Sequence, residues 1–312
     1  MNMRDTISAN RTFLMGLAMI AILLFHHGYC IIPGITAFFS RFGLFGVDIF
    51  LFLSGFGCVF ALSKTTPSVF FGKRIARLLP TCLFVGMAVF AADLFLDAER
   101  TDANPVIALF SLHRWYIQAI IVCYLICPVA YFLLKRYKLI AFIGLLAASA
   151  LGHYFSVDID YFRLSWIMGR LPVFFVGMYI AMYNPKTNGI YYCISVALIL
   201  ASMLIRCVGG GYVFLWTYTI AAGMPILCLM LASIRNLSDK IRLTPVISLF
   251  GLYSLEIYLI HEYTYWTIGE LSISLWIKYT ITIAIIASVS MLSHKVTNSI
   301  KPIIEKRILV KL

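Results

Sequence analysis

Charge is scarce in this chain, and what it lacks narrows the field before any motif is read. Only 12% of the 312 residues are Asp, Glu, Lys or Arg, against 62% hydrophobic residues, which is too little polar surface to cover a soluble globule of this size. No Pro/Gly/Ser-rich linker, internal repeat or low-complexity segment interrupts the apolar runs, so residues 1–312 read as one domain. No small-residue cleavage site follows the first apolar run, which excludes a signal peptide and predicts that the first helix stays in place. The eight cysteines form neither a zinc signature nor a disulfide framework. Even the close pair Cys123 and Cys127 reads as core packing. There is no Gly-x-Ser-x-Gly elbow to supply an acyl-serine.

What is present is a series of apolar runs of membrane-spanning length. Ten are legible, near 12–30, 44–63, 80–97, 115–134, 138–154, 166–183, 188–206, 212–233, 245–263 and 272–293. The fold class is therefore all-α, a multi-pass protein of the cell (inner) membrane. An even number of spans puts both termini on one side. Taking that side as cytoplasmic gathers most of the 25 Lys and Arg there, Lys64, Lys73, Arg74, Arg77, Lys135, Lys240 and Lys301 among them. The positive-inside rule then predicts an N-in, C-in orientation. The net charge of +12 is accounted for by this basic rim against anionic headgroups, and nucleic acid is not needed as a partner. Pro80 is expected to open the third span, and Pro67-Ser68 to begin a short amphipathic helix in the loop before it. The polar stretch between Leu96 and His113 is expected at the lip of an external site, and His294 beside Lys295 in the basic rim.

The polar residues inside the spans carry the functional signal, because ionisable groups at membrane depth are costly and face one another or water. His26 and His27 close the first span, Asp48 opens the second, Arg114 and Trp115 open the fourth, Arg170 lies early in the sixth and His261 late in the ninth. All fall at one level, on the outer side. They define either a reaction or substrate site or a buried network that ties helices together. On the opposite side, Arg74 and Arg77 stand at i and i+3, so a helix would project both guanidinium groups from one face. Such a pair is able to clamp a phosphate, or to serve only as a topology determinant.

Four ordered segments carry a resemblance. They are Met15 to His26, Gly46-Val47-Asp48 through Ser54-Gly55-Phe56, Lys73-Arg74-Ile75-Ala76-Arg77-Leu78-Leu79-Pro80, and Ser254-Leu255-Glu256-Ile257-Tyr258-Leu259-Ile260-His261. With Arg114-Trp115-Tyr116-Ile117 and the run from Arg170 to Met178 between them, the chain resembles the bacterial membrane acyltransferase family 3. Members of that family O-acylate cell-surface and exopolysaccharide sugars from acyl-CoA. The resemblance implies an O-acyltransferase, most simply an O-acetyltransferase, with acetyl-CoA as donor substrate and no permanently bound cofactor or metal. The acceptor would be a glycan or a lipid-linked sugar. It implies catalytic roles for His26, Asp48 and His261, with His26 as general base on the acceptor hydroxyl and Asp48 orienting it. Arg74 and Arg77 would bind the CoA phosphates, and His27, Arg114, Trp115 and Arg170 would line the acceptor side. One position departs from the pattern: the family places a basic residue where this chain has Met15, and either Arg11 one turn earlier takes the role or the role is absent.

Two other readings compete. A secondary transporter or exporter of a glycan-related or acylated molecule would use broken helices and a midplane carboxylate, for which only Glu256 has the depth. An inactive acyltransferase-like protein is the reading that Met15 motivates.

Overall fold

The computed structural model describes residues 2–30, 35–96, 109–110, 114–157, 164–208 and 213–309. The described residues are helical throughout, in eleven elements: α1 Met3–Ala9, α2 Arg11–Cys30, α3 Ile35–Leu62, α4 Pro67–Leu96, α5 Trp115–Ser156, α6 Leu164–Tyr183, α7 Gly189–Val208, α8 Val213–Lys240, α9 Thr244–Leu252, α10 Ser254–Gly269 and α11 Leu275–Leu309. Among them, six helices are long and apolar enough to cross a membrane. Two bent pairs, α1 with α2 (69°) and α9 with α10 (82°), raise the number to eight if each is one span. The polar stretch 97–108 and His113, expected at the lip of the site, lie outside the described residues.

Two of the expected boundaries change, each for a local reason, and one holds. The runs 115–134 and 138–154 are two helices joined end to end as α5, with the break at Lys138, the first residue of the second run, whose backbone leaves the helical region (φ 49°, ψ −119°). Pro80 does not open a span but sits inside α4, which starts at Pro67 and carries Arg74 and Arg77 on its first turns. A membrane helix tolerates an internal proline; one residue past the Ala76 carbonyl that Pro80 leaves without its helical donor, the Thr81 hydroxyl donates to the Arg77 carbonyl at 3.0 Å. The run 245–263 is split at Tyr253, whose ψ of 15° turns the axis between α9 and α10.

The centre of the bundle is α3, packed against α2 on one side and α6 on the other. Its residues from Phe45 to Leu62 are mostly buried, whereas the lipid-facing α11 buries few. Between helices that are both apolar, lipid offers no hydrophobic incentive to associate, so close backbone contact must supply the attraction. Gly55 of α3 and Gly177 of α6 supply it reciprocally. A Cβ on Gly55 would stand 2.1 Å from the Phe174 carbonyl oxygen, and one on Gly177 would stand 2.1 Å from that of Phe52. The contact aligns α3 with α6, and with it the polar residues each helix carries near one end.

Candidate functional site

At the histidine end of the bundle lie three groups of polar side chains. The first joins α2 to α10: the rings of His26 and His261 lie 4.9 Å apart, edge to face. His261 is 1% exposed, and its Nδ1 faces the carbonyl oxygens of Tyr258 (2.8 Å) and Ile257 (3.1 Å). A ring nitrogen between two acceptors must carry the hydrogen, so Nε2 keeps its lone pair. That Nε2 is buried with no hydrogen-bond partner. His26 is only half-buried, which leaves it as the member of the pair that a substrate can reach.

The second group is an ion pair between Asp48 of α3 and Arg170 of α6. Arg170 Nη1 donates to Asp48 Oδ1 at 2.5 Å, with the two side chains 0% and 2% exposed. The guanidinium also stacks over Trp115 (5.2 Å) and Trp216 (4.6 Å). This corrects the expectation that Asp48 orients His26, because its bonded oxygen is committed to Arg170 and no contact joins it to either histidine. Arg170 is enclosed with it, and Trp115, which is only half-buried, stacks against the guanidinium.

The third group is the ion pair of Arg114 with Glu262. Sequence reasoning passed over Glu262, which directly follows His261. Its partner lies 148 residues away, so no spacing could have marked it. Arg114 stands within electrostatic range of both His26 and His261. His27 turns aside from the pair, stacked on Tyr279 (5.2 Å) with Tyr265 at its edge (6.0 Å). Its Nδ1 is buried and has no hydrogen-bond partner.

A cleft of about 630 Å³ begins beside this cluster, at Tyr258, and is lined by Arg11, Met15, Ser54, Arg74, Arg77, Tyr116 and Tyr124 among others; neither histidine lines it. No carboxylate borders it. Arg11 enters because Gly57 makes room: a Cβ there would come within 3.1 Å of Arg11 Nη2. The Arg74 guanidinium lies over the rings of Phe70 and Tyr124, 5.1 Å from each. Three guanidinium groups, from two elements far apart in sequence, thus converge without a neutralising acid. They form an anion site whose electrostatic worth rises as water is excluded. At the inner end stands Tyr258, 5.5 Å from the His261 ring and 4.9 Å from Tyr116. Outside Arg74 and Arg77 a second cavity of about 700 Å³ adds Lys64, Lys73 and Lys301, with Glu305 3.9 Å from the Lys301 amine as the one carboxylate lining it. The loop after α3, the start of α4 and the end of α11 therefore bring their basic residues to the same mouth.

Two expectations about neighbouring residues change. His294 does not belong to an exposed basic rim: its Nδ1 lies 3.0 Å from Glu256 Oε1, a carboxylate only 6% exposed. Glu256, the candidate ion-coupling group, is thereby occupied, and it points away from His261.

These features define a class: a polytopic helical protein in which a cationic cleft, suited to a polyanionic ligand, lies beside a pair of imidazoles, with its Tyr258 in ring contact with one of them. The comparison with known families resolves the class further. The family model described as an acyltransferase domain, that of acyltransferase family 3, matches residues 13–294. The chain belongs to that family. The match takes in all of the residues discussed above except Arg11 and the end of α11. Neither a curated protein nor a solved structure matches the chain.

Proposed function

We propose that this membrane acyltransferase transfers an acetyl group from acetyl-CoA to a hydroxyl of a cell-surface glycan or its lipid-linked precursor. The observation that carries the reading is the cleft itself, in which Arg11, Arg74 and Arg77 stand at one end and Tyr258, in ring contact with His261, at the other. The arginines hold the CoA phosphates through charge-assisted, bidentate hydrogen bonds. The pantetheine arm follows the tyrosine-lined cleft toward the histidines. Arg11 supplies the cation that the family pattern puts at Met15, since both side chains border the same cleft.

His26 acts as general base. It takes the proton from the acceptor hydroxyl as that oxygen attacks the thioester carbonyl carbon, and then returns it to the sulfur. A carbon–oxygen bond forms, the carbon–sulfur bond breaks, and CoA leaves as the free thiol. His261, with its hydrogen held on Nδ1 by the α10 backbone, steadies the His26 ring through the edge-to-face contact at 4.9 Å. Arg114, tethered by Glu262, stabilises the oxyanion that develops on the carbonyl. Counting the two halves of α5 separately and including α7 restores ten spans. The lysines and arginines at the cleft mouth then favour a cytoplasmic donor entrance with both termini inside. On this arrangement the donor enters from the cytoplasm and the acceptor reaches His26 from the other face.

The test is transfer of labelled acetyl groups from acetyl-CoA by membranes expressing wild type, His26→Ala, His27→Ala and His261→Ala at matched levels, with the native glycan present. Label reaching glycan in wild type and His27→Ala, and falling at least a hundredfold in His26→Ala, is the expected result. If wild type transfers nothing while glycan export depends on the protein, the enzyme reading fails. The break between α9 and α10 beside Glu256 would then belong to a transporter.

A further inference from the structure

Arg74 borders a third space that the transfer reaction does not use. A groove of about 800 Å³ runs between α4 and α5, lined almost wholly by apolar side chains from Phe71 to Cys82 on α4 and Ile117 to Leu125 on α5. Arg74 is its one charged residue. The twelve residues from Phe71 to Cys82 span about 16 Å of helix, close to the thickness of one leaflet of hydrocarbon, about 15 Å. The groove lies open toward the bilayer, since Ile75 and Leu125 are 48% and 61% exposed. No carboxylate forms an ion pair with Arg74 among the described residues.

We infer that this groove seats one acyl chain of an anionic phospholipid, with the lipid phosphate on Arg74. A slot of leaflet length, apolar along its sides and cationic at one end, matches a lipid that is apolar along its tail and anionic at its head. The acyl tail of a long-chain donor is the rival occupant. The groove and the cleft share Arg74, Leu78 and Tyr124, which is the phosphate end of the cleft. A tail attached at the thioester would begin at the histidine end and could not enter there. That exclusion rests on the proposed transfer reaction, whereas the lipid site itself does not. Because Arg74 faces both spaces, lipid phosphate and donor phosphate compete for it.

The test uses the full chain in phosphatidylcholine nanodiscs containing a trace of phosphatidylglycerol with a photoreactive diazirine midway along one acyl chain. After illumination, label is expected on peptides covering residues 71–82 and 117–125, at least tenfold above an otherwise identical phosphatidylcholine probe. Filling the groove with Ile121→Trp should remove that label, and Arg74→Gln should remove the preference for the anionic probe. Millimolar inorganic phosphate should leave the label in place, because it lacks the tail. Equal labelling by the two lipid probes would overturn the inference, as would labelling that survives Ile121→Trp in a protein with unchanged melting. Labelling of the same peptides by a diazirine-tailed acyl-CoA, and not by phosphatidylglycerol, would assign the groove to the donor. Should Ile121→Trp not fold, the comparison of the two lipid probes on wild type still decides. Labelling reports binding and not turnover, so its failure is distinct from a failure of acyl transfer.

Discussion

Replacing Asp48 with Asn would leave Arg170 inside the bundle with its full charge and no counter-ion. Removing one partner of a buried ion pair costs about 3–5 kcal/mol. Here the stranded guanidinium keeps its stacking against Trp115 and Trp216, and a desolvated cation–π contact returns up to about 2 kcal/mol. The lower end, about 3 kcal/mol, is therefore expected, roughly a hundredfold fall in the ratio of folded to unfolded protein. Arg170→Gln alone should cost a similar amount. The double variant, Asp48→Asn with Arg170→Gln, leaves two neutral groups able to hydrogen bond and should recover at least about 2 kcal/mol, the signature of a coupled pair. Equilibrium unfolding of the detergent-solubilised protein in rising dodecyl sulfate, followed by tryptophan fluorescence, measures all four corners. Acetyl transfer per folded molecule is measured alongside. If Asp48→Asn is as stable as wild type yet loses transfer, the carboxylate serves the chemistry directly and the reasoning from the ion pair is refuted.

Three further outcomes follow from the same geometry. Arg11→Gln should raise the KM for acetyl-CoA about 10- to 100-fold, the worth of one charged hydrogen bond of about 1.5–3 kcal/mol. Adding Met15→Arg should restore it, and steady-state kinetics on matched membranes decides. Gly177→Leu forces α6 off the Phe52 carbonyl and should lower stability by about 3 kcal/mol, read as a reduced dodecyl sulfate midpoint; an unchanged midpoint would show that the two helices have room to separate. Glu262→Gln frees Arg114 from its tether and should lower kcat about tenfold or more with little change in donor KM; a change confined to KM would move Arg114 from the reacting carbonyl to the binding of substrate.

Much of the architecture was legible in the residues because membrane insertion depends on composition over a span, a local property. The apolar runs, the basic residues between them and the helical spacing of Arg74 and Arg77 all follow from neighbours along the chain. So does the depth of His26, Asp48, Arg170 and His261, which is counted from the span ends. The break at Lys138 was legible, but the boundaries at Pro80 and Tyr253 were not, because whether a helix continues through a proline or turns at a tyrosine depends on what packs beside it. Pairing was hidden for the same reason. A list of polar groups at one level does not say which of them touch, and Asp48 found Arg170 because Gly55 and Gly177 let α3 and α6 approach closely. Glu262 acquired its meaning only from Arg114, and Glu256 only from His294. The sequence by itself therefore determined that this is a helical membrane protein with imidazoles at one depth and arginines at another. Only the tertiary structure decided that the arginines share a cleft whose Tyr258 touches His261, since side chains far apart in sequence had to meet before any space existed between them.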